Sequence, residues 1–135
     1  MKYVHKTARN KWFLRLYVIL VISLFCIFIA GGLTLAEGLK CGHEIAGYTK
    51  LTDDLNCSDH DGTALILLEG AKLNLNGKKV IGNYDNNCIE IEDDGVELNN
   101  GTVTRCKDGI RIKSNSNTIT SVEVSESARR GIRIN

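Results

Sequence analysis

The chain has 135 residues, 43% of them hydrophobic and 24% charged, with no proline and a formal net charge of +1. Five of its seventeen lysines and arginines precede residue 37, whereas all sixteen acids lie at or after it, so the remainder carries a net charge of −4. That balance argues against a nucleic-acid partner, because neutralising phosphates requires a basic surface.

In chain order, residues 1–15 form a basic flank with Lys2, Lys6, Arg9, Lys11 and Arg15, and residues 16–36 carry no charge and are dominated by Leu, Ile, Val and Phe. An apolar stretch of this length can span a hydrocarbon core of about 30 Å. The basic flank should stay in the cytoplasm and the rest of the chain should lie outside. Thr34-Leu35-Ala36 before Glu37 is an imperfect signal-peptidase site, so the segment is read either as a cleaved signal peptide or as a retained single-pass anchor. The expected location is secreted, periplasmic or cell-surface.

Residues 37–62 read as an N-terminal cap. Cys41 and Cys57 both fall in it, where a small fold must be tied down, and are the expected disulfide. Cys88 and Cys106 lie further along at different phases of the repeat, and a bond between them would have to cross a corner; free buried thiols are the favoured reading. His43 and His60 lie near Cys41, Cys57, Asp59 and Asp61, but a disulfide would consume both sulfurs and a loop histidine among acids is usually solvated. No metal and no cofactor is called for.

From residue 63 a motif returns three times: Cys88-Ile89-Glu90-Ile91, Gly109-Ile110-Arg111-Ile112 and Gly131-Ile132-Arg133-Ile134, with isoleucine offsets of 21 and 22. Leu73-Asn74-Leu75 precedes Val96-Glu97-Leu98 by 23 residues, Leu98 precedes Ile119 by 21, and Val80, Val103 and Val124 are offset by 23 and 21. Each repeat holds short segments alternating at the strand period of two, separated by Gly, Asn and Asp. Short strands recurring at this interval describe a solenoid. Residues 63–135 are therefore expected to form about three turns, with a core ladder of Ile89, Ile110 and Ile132. Corners are expected at Asn76-Gly77, Asn99-Asn100-Gly101 and Asn115-Ser116-Asn117, where Asn and Gly tolerate left-handed backbone. The fold class is all-β, with one apolar helix at residues 16–36.

The run from Cys41 onward, with Leu51-Thr52-Asp53-Asp54-Leu55-Asn56-Cys57, Leu73-Asn74-Leu75-Asn76-Gly77-Lys78-Lys79-Val80-Ile81-Gly82 and Asn100-Gly101-Thr102-Val103, resembles the start of a right-handed parallel β-helix of the pectate-lyase-like superfamily. The resemblance is specific for fold and weak for function, since that superfamily hosts lyases, hydrolases, epimerases, metal-maturation proteins and adhesion scaffolds.

On the outward face, Glu90, Arg111 and Arg133 fall in one column and Glu92 and Lys113 in the next. Adjacent turns should thus pair Glu90 with Arg111 and Glu92 with Lys113, at about 0.2–1 kcal/mol each. The sharper reading makes Arg111, Lys113 and Arg133, with Arg129 and Arg130, a strip for an acidic polysaccharide, like the uronate grooves that the resemblance implies. Two arginines in one column repel each other, and an anionic ligand would relieve them. The acids at Asp53-Asp54, Asp59, Asp61 and Glu92-Asp93-Asp94 sit at predicted turns, where Asp serves turn hydrogen bonds, so no catalytic residue is assigned. Two sequons, Asn56-Cys57-Ser58 and Asn100-Gly101-Thr102, matter only in a glycosylating source. Solenoids need a terminal cap and none follows Ile134, so the chain is expected to be an N-terminal part of a longer β-helix or to stack coil on coil with copies of itself. The functional expectation is an exported repeat scaffold that contacts carbohydrate, without a complete active site. The alternatives are the opening part of a polysaccharide lyase or glycoside hydrolase, and a metal-maturation or adhesion protein.

Overall fold

The computed structural model describes Gly38–Asn135. The basic flank 1–15 and the apolar segment 16–36 lie outside the described residues. Among the described residues there is no helix long and apolar enough to cross a membrane.

The strands are β1 (His43–Ile45), β2 (Tyr48–Lys50), β3 (Leu55–Asn56), β4 (Leu65–Leu67), β5 (Lys72–Asn74), β6 (Lys79–Ile81), β7 (Ile89–Ile91), β8 (Glu97–Thr104), β9 (Asp108–Ile112), β10 (Thr118–Ser125) and β11 (Arg130–Ile134). All their pairings are parallel. One sheet runs β1-β4-β7-β9-β11, and a second runs β2-β5-β8-β6-β3 with β10 also on β8. The result is a parallel β-solenoid of about four turns.

The three turns expected within residues 63–135 are present in β4 to β11, and the fourth comes before them. β1, β2 and β3 lie within residues 37–62 and pair with β4, β5 and β6, so the stretch read as a cap supplies a first turn. It lacks the Ile-x-Ile signature because β1 carries His43 where β7 carries Ile89, leaving Ile45 as the one apolar residue of that strand. Its wall positions are single residues, Ile45, Leu51 and Leu55, all buried.

Inside, the residues at every second position stack into ladders. Ile89 pairs with Ile110 and Ile110 with Ile132, as the repeat predicted, and Leu65 extends that column one turn earlier. Val80, Val103 and Val124 align as expected. Leu65, Leu67, Leu73, Leu75, Ile89, Ile91, Leu98 and Ile110 are fully buried, each such side chain contributing about 1.5–3 kcal/mol over its exposed state. Ile132, on the edge strand β11, is 50% exposed.

One register differs from expectation. Leu73 pairs with Leu98 and Asn74 with Asn99, an offset of 25 where the spacing had set Leu73 against Val96 and Leu75 against Leu98. Past the corner, Lys79 pairs with Thr102 and Val80 with Val103. Four residues, Leu75 to Lys78, therefore turn the corner in one turn, and only Asn100 and Gly101 in the next. This shortening lets β8 continue unbroken through the bend. Asn100 takes a left-handed φ of 63° there, as Asn76 does at 53°. Gly101 must lack a side chain, because a Cβ would lie 2.6 Å from the Lys78 carbonyl oxygen and closer still to the Leu75 Cβ.

Two disulfides close single turns on themselves. Cys41 and Cys57, at the start and end of the first turn, are bonded with Cα atoms 5.7 Å apart. Cys88 and Cys106, expected as free thiols, are also bonded, with Cα atoms 5.5 Å apart. Cys88 enters β7 just past a corner, and Cys106 lies in the corner between β8 and β9. The Cys88 amide donates to the Asp108 carbonyl at 3.2 Å, so the two cysteines meet inside the same stacked corner and the bond spans no gap.

Candidate functional site

Before each strand of the first sheet the chain turns a corner, and successive corners stack. The Ala64 amide donates to the Asn87 carbonyl, the Lys107 amide to the Asn86 carbonyl and the Arg129 amide to the Lys107 carbonyl, at 2.8–3.1 Å. Side chains from four turns are thus brought side by side. They line a cleft of about 210 Å³ with Thr63, Asp85, Asn86, Asn87, Lys107, Asp108, Arg111, Arg129 and Arg133. Four cations face two acids in it.

Three of the lining residues, Thr63, Asn87 and Arg111, are tied together by Glu90, which does not itself line the cleft and is 8% exposed on the middle of β7. Its carboxylate accepts from Thr63 Oγ1 at 3.1 Å, Asn87 Nδ2 at 3.0 Å and Arg111 Nη1 at 3.1 Å, and Lys113 Nζ stands 3.7 Å away. Thr63 and Arg111 come from the turns before and after, stacked as Ile66, Glu90 and Arg111 are in one column, and Asn87 comes from the corner that leads into β7 itself. A buried carboxylate is tolerated only with such compensation.

Asp108 is the second buried acid, 1% exposed at the start of β9. Its Oδ2 lies 3.6 Å from Arg133 Nη1. Its Oδ1 has no hydrogen-bond partner within the protein, and the same holds for Asn87 Oδ1 and Arg111 Nε, all three buried atoms on cleft-lining residues. Unsatisfied buried polar atoms are uncommon in native proteins and each calls for an explanation. Gly109 allows the close approach here, since a Cβ would lie 2.6 Å from the Gly131 carbonyl oxygen.

The structure divides the predicted strip residues. Arg111 and Arg133 are register partners on β9 and β11, and both line the cleft. Lys113 turns away to Glu92 at 2.6 Å and does not line it. The expected Glu90–Arg111 and Glu92–Lys113 pairs are both present. The turn acids behave as turn residues: Asp54 accepts from the Lys79 amide at 2.8 Å and Asp94 from the Asn115 amide at 2.7 Å. Cys41 and Cys57 are bonded to each other, which removes both sulfurs from the arrangement drawn with His43 and His60, and among the described residues no three His, Cys, Asp or Glu side chains cluster as metal ligands.

Sequence reasoning missed Thr63, Asn87, Lys107 and Asp108. The available signal was their phase, one or two residues ahead of the Cys88 and Gly109 positions, a stretch that carries no repeated motif.

A second cleft, of about 320 Å³, lies over the outer face of β6, β8 and β10 and balances Lys79 and Arg105 with Glu123 and Glu126. Beside it Glu126 accepts from Tyr84 Oη at 3.0 Å and Arg105 Nε at 3.3 Å. The hydrogen bond to Glu126 raises the Tyr84 phenol above its usual pKa. With its charges matched, this cleft offers less to a charged ligand than the corner cleft does.

Comparison of the chain with protein-family models, curated proteins and solved structures found no match.

Proposed function

We propose that the protein is an exported right-handed β-helix scaffold, of the pectate-lyase-like kind, that holds an acidic polysaccharide in the corner cleft without cleaving it. The observation that carries this reading is the concentration of Lys107, Arg111, Arg129 and Arg133 in one cleft on a chain whose portion after the apolar segment has a net charge of −4. Cations gathered against the overall charge favour an anion at that place, and a cleft crossing several turns suits an extended polymer. Two disulfides support an oxidising, exported location, with residues 16–36 as signal or anchor.

Binding without hydrolysis is supported by the two buried acids. Glycoside hydrolysis uses one carboxyl as a proton donor and a second as base or nucleophile. Here Glu90 is engaged by Arg111 and Lys113, and Asp108 lies against Arg133, so each carboxyl is committed to a cation of the fold itself.

Lys107 and Arg129 provide the test, because among the described residues neither enters an ion pair and the fold should not depend on their charge. The variant Lys107→Ser with Arg129→Ser should leave a polyuronate column at lower salt than wild type. Unchanged elution of the folded variant would remove the cleft as the site.

A further inference from the structure

The buried, unpartnered atoms on the residues that line the corner cleft specify more than a negative charge. Asp108 Oδ1 is a carboxylate oxygen on a residue 1% exposed, with no donor of its own, and Asn87 Oδ1 is a second buried acceptor in the same condition. Such acceptors carry a desolvation cost until a donor reaches them. A sulfate, phosphate or carboxylate oxygen cannot be that donor, and Asp108 would repel it. The unpartnered Arg111 Nε, with Lys107, Arg129 and Arg133 around it, asks for the opposite partner, an anionic acceptor. One ligand satisfies both demands if it carries an anionic group and a hydrogen-bond donor on the same unit, and on an acidic sugar that donor is a hydroxyl.

We infer that Asp108, together with Asn87, is a specificity-determining acceptor that reads a sugar hydroxyl, so that the cleft selects hydroxyl-bearing polyanions over plain ones. This rests on the proposed polysaccharide reading and adds to it which groups of the sugar are recognised. Hydrogen bonds to a charged acceptor are among the stronger ones. Discrimination should therefore reach about tenfold or more against a polymer that lacks the donor.

The test compares two polymers of matched charge spacing on the intact protein: polyglucuronate, which has free hydroxyls, and partly methyl-esterified polyacrylate, which has none. Wild type should bind polyglucuronate about tenfold more tightly. The substitution Asp108→Ala removes the acceptor without supplying an amide from which a hydroxyl oxygen could accept instead, so it should bring the two affinities together. O-acetylated polyglucuronate on wild type reports the same property without any variant, and should bind no better than the polyacrylate. Equal wild-type binding of both polymers would overturn the hydroxyl reading while leaving an anion site in place. A ratio that survives Asp108→Ala in folded protein would overturn the assignment to Asp108. Failure of wild type to bind either polymer would overturn the proposed function and this inference together.

Discussion

Glu90 and Arg111 allow burial and distance to be separated as determinants of ion-pair strength. Their atoms are 3.1 Å apart with side chains 10% and 28% exposed, whereas Lys72 and Glu97 are closer, at 2.7 Å, but 53% and 46% exposed. Gross attraction at an effective dielectric of about 20 would be about 5 kcal/mol for the first pair, and about 1.5 kcal/mol for the second in a water-like dielectric of about 80. Desolvation removes much of the first figure. Replacing Glu90 by Gln also removes the charge from the hydrogen bonds to Thr63 and Asn87. We expect Glu90→Gln to destabilise the fold by about 2–3 kcal/mol, below the range for a fully buried pair because water reaches part of Arg111. A double-mutant cycle with Arg111→Gln, read by urea unfolding of the oxidised protein, should give a coupling of about 1–2 kcal/mol. The same cycle on Lys72 and Glu97 should give less than about 1 kcal/mol and should fade at high salt. Equal couplings, or a Glu90–Arg111 coupling that salt abolishes, would refute the view that burial decides the difference.

Two further outcomes can be checked. Replacing Cys88 and Cys106 together with Ala should cost about 3 kcal/mol, the chain-entropy value for a loop of their 18-residue separation, and reductant should then add only the loss from Cys41–Cys57; thermal melts with and without reductant measure both. Tyr84 has a pKa raised above 10.0 by its bond to Glu126. The stabilisation from that bond is therefore complete below pH 10, the ordinary value, and is lost as pH rises through the raised one. Ultraviolet titration of Tyr84→Phe against wild type should show the missing phenol ionising above pH 10, and a difference curve centred at or below pH 10 would contradict the assignment.

What the sequence made legible was whatever repeats with an inward side chain. Ile89, Ile110 and Ile132, and Val80, Val103 and Val124, could be aligned because a ladder demands like residues at like positions. The Glu90–Arg111 pair followed from the same phase. The first turn was not legible, because Ile45, Leu51 and Leu55 hold the wall as isolated residues without a shared motif. The shift at Leu73 was hidden because a corner can lose two residues without altering any single strand. Much of the cleft escaped for a related reason: Asn87, Lys107 and Asp108 are corner residues whose types suit any turn, and only stacking makes them neighbours. Cys88 and Cys106 were misjudged because sequence phase records position along the turn, while their sulfurs meet across the stacking direction.

The closed turns also bear on how the protein yields to force. Pulled from its ends, a solenoid unwinds turn by turn, and each turn released should add its contour length to the tether. A turn whose start and end are covalently joined opens its hydrogen bonds but cannot lengthen. At an extended reach of about 3.4 Å per residue, the bonds at separations of 16 and 18 withhold about 55 Å and about 60 Å of slack. A chain anchored at a cell surface and loaded by a polymer would keep these two rings while the intervening turns stretched, and reduction would change its extension more than its resting shape.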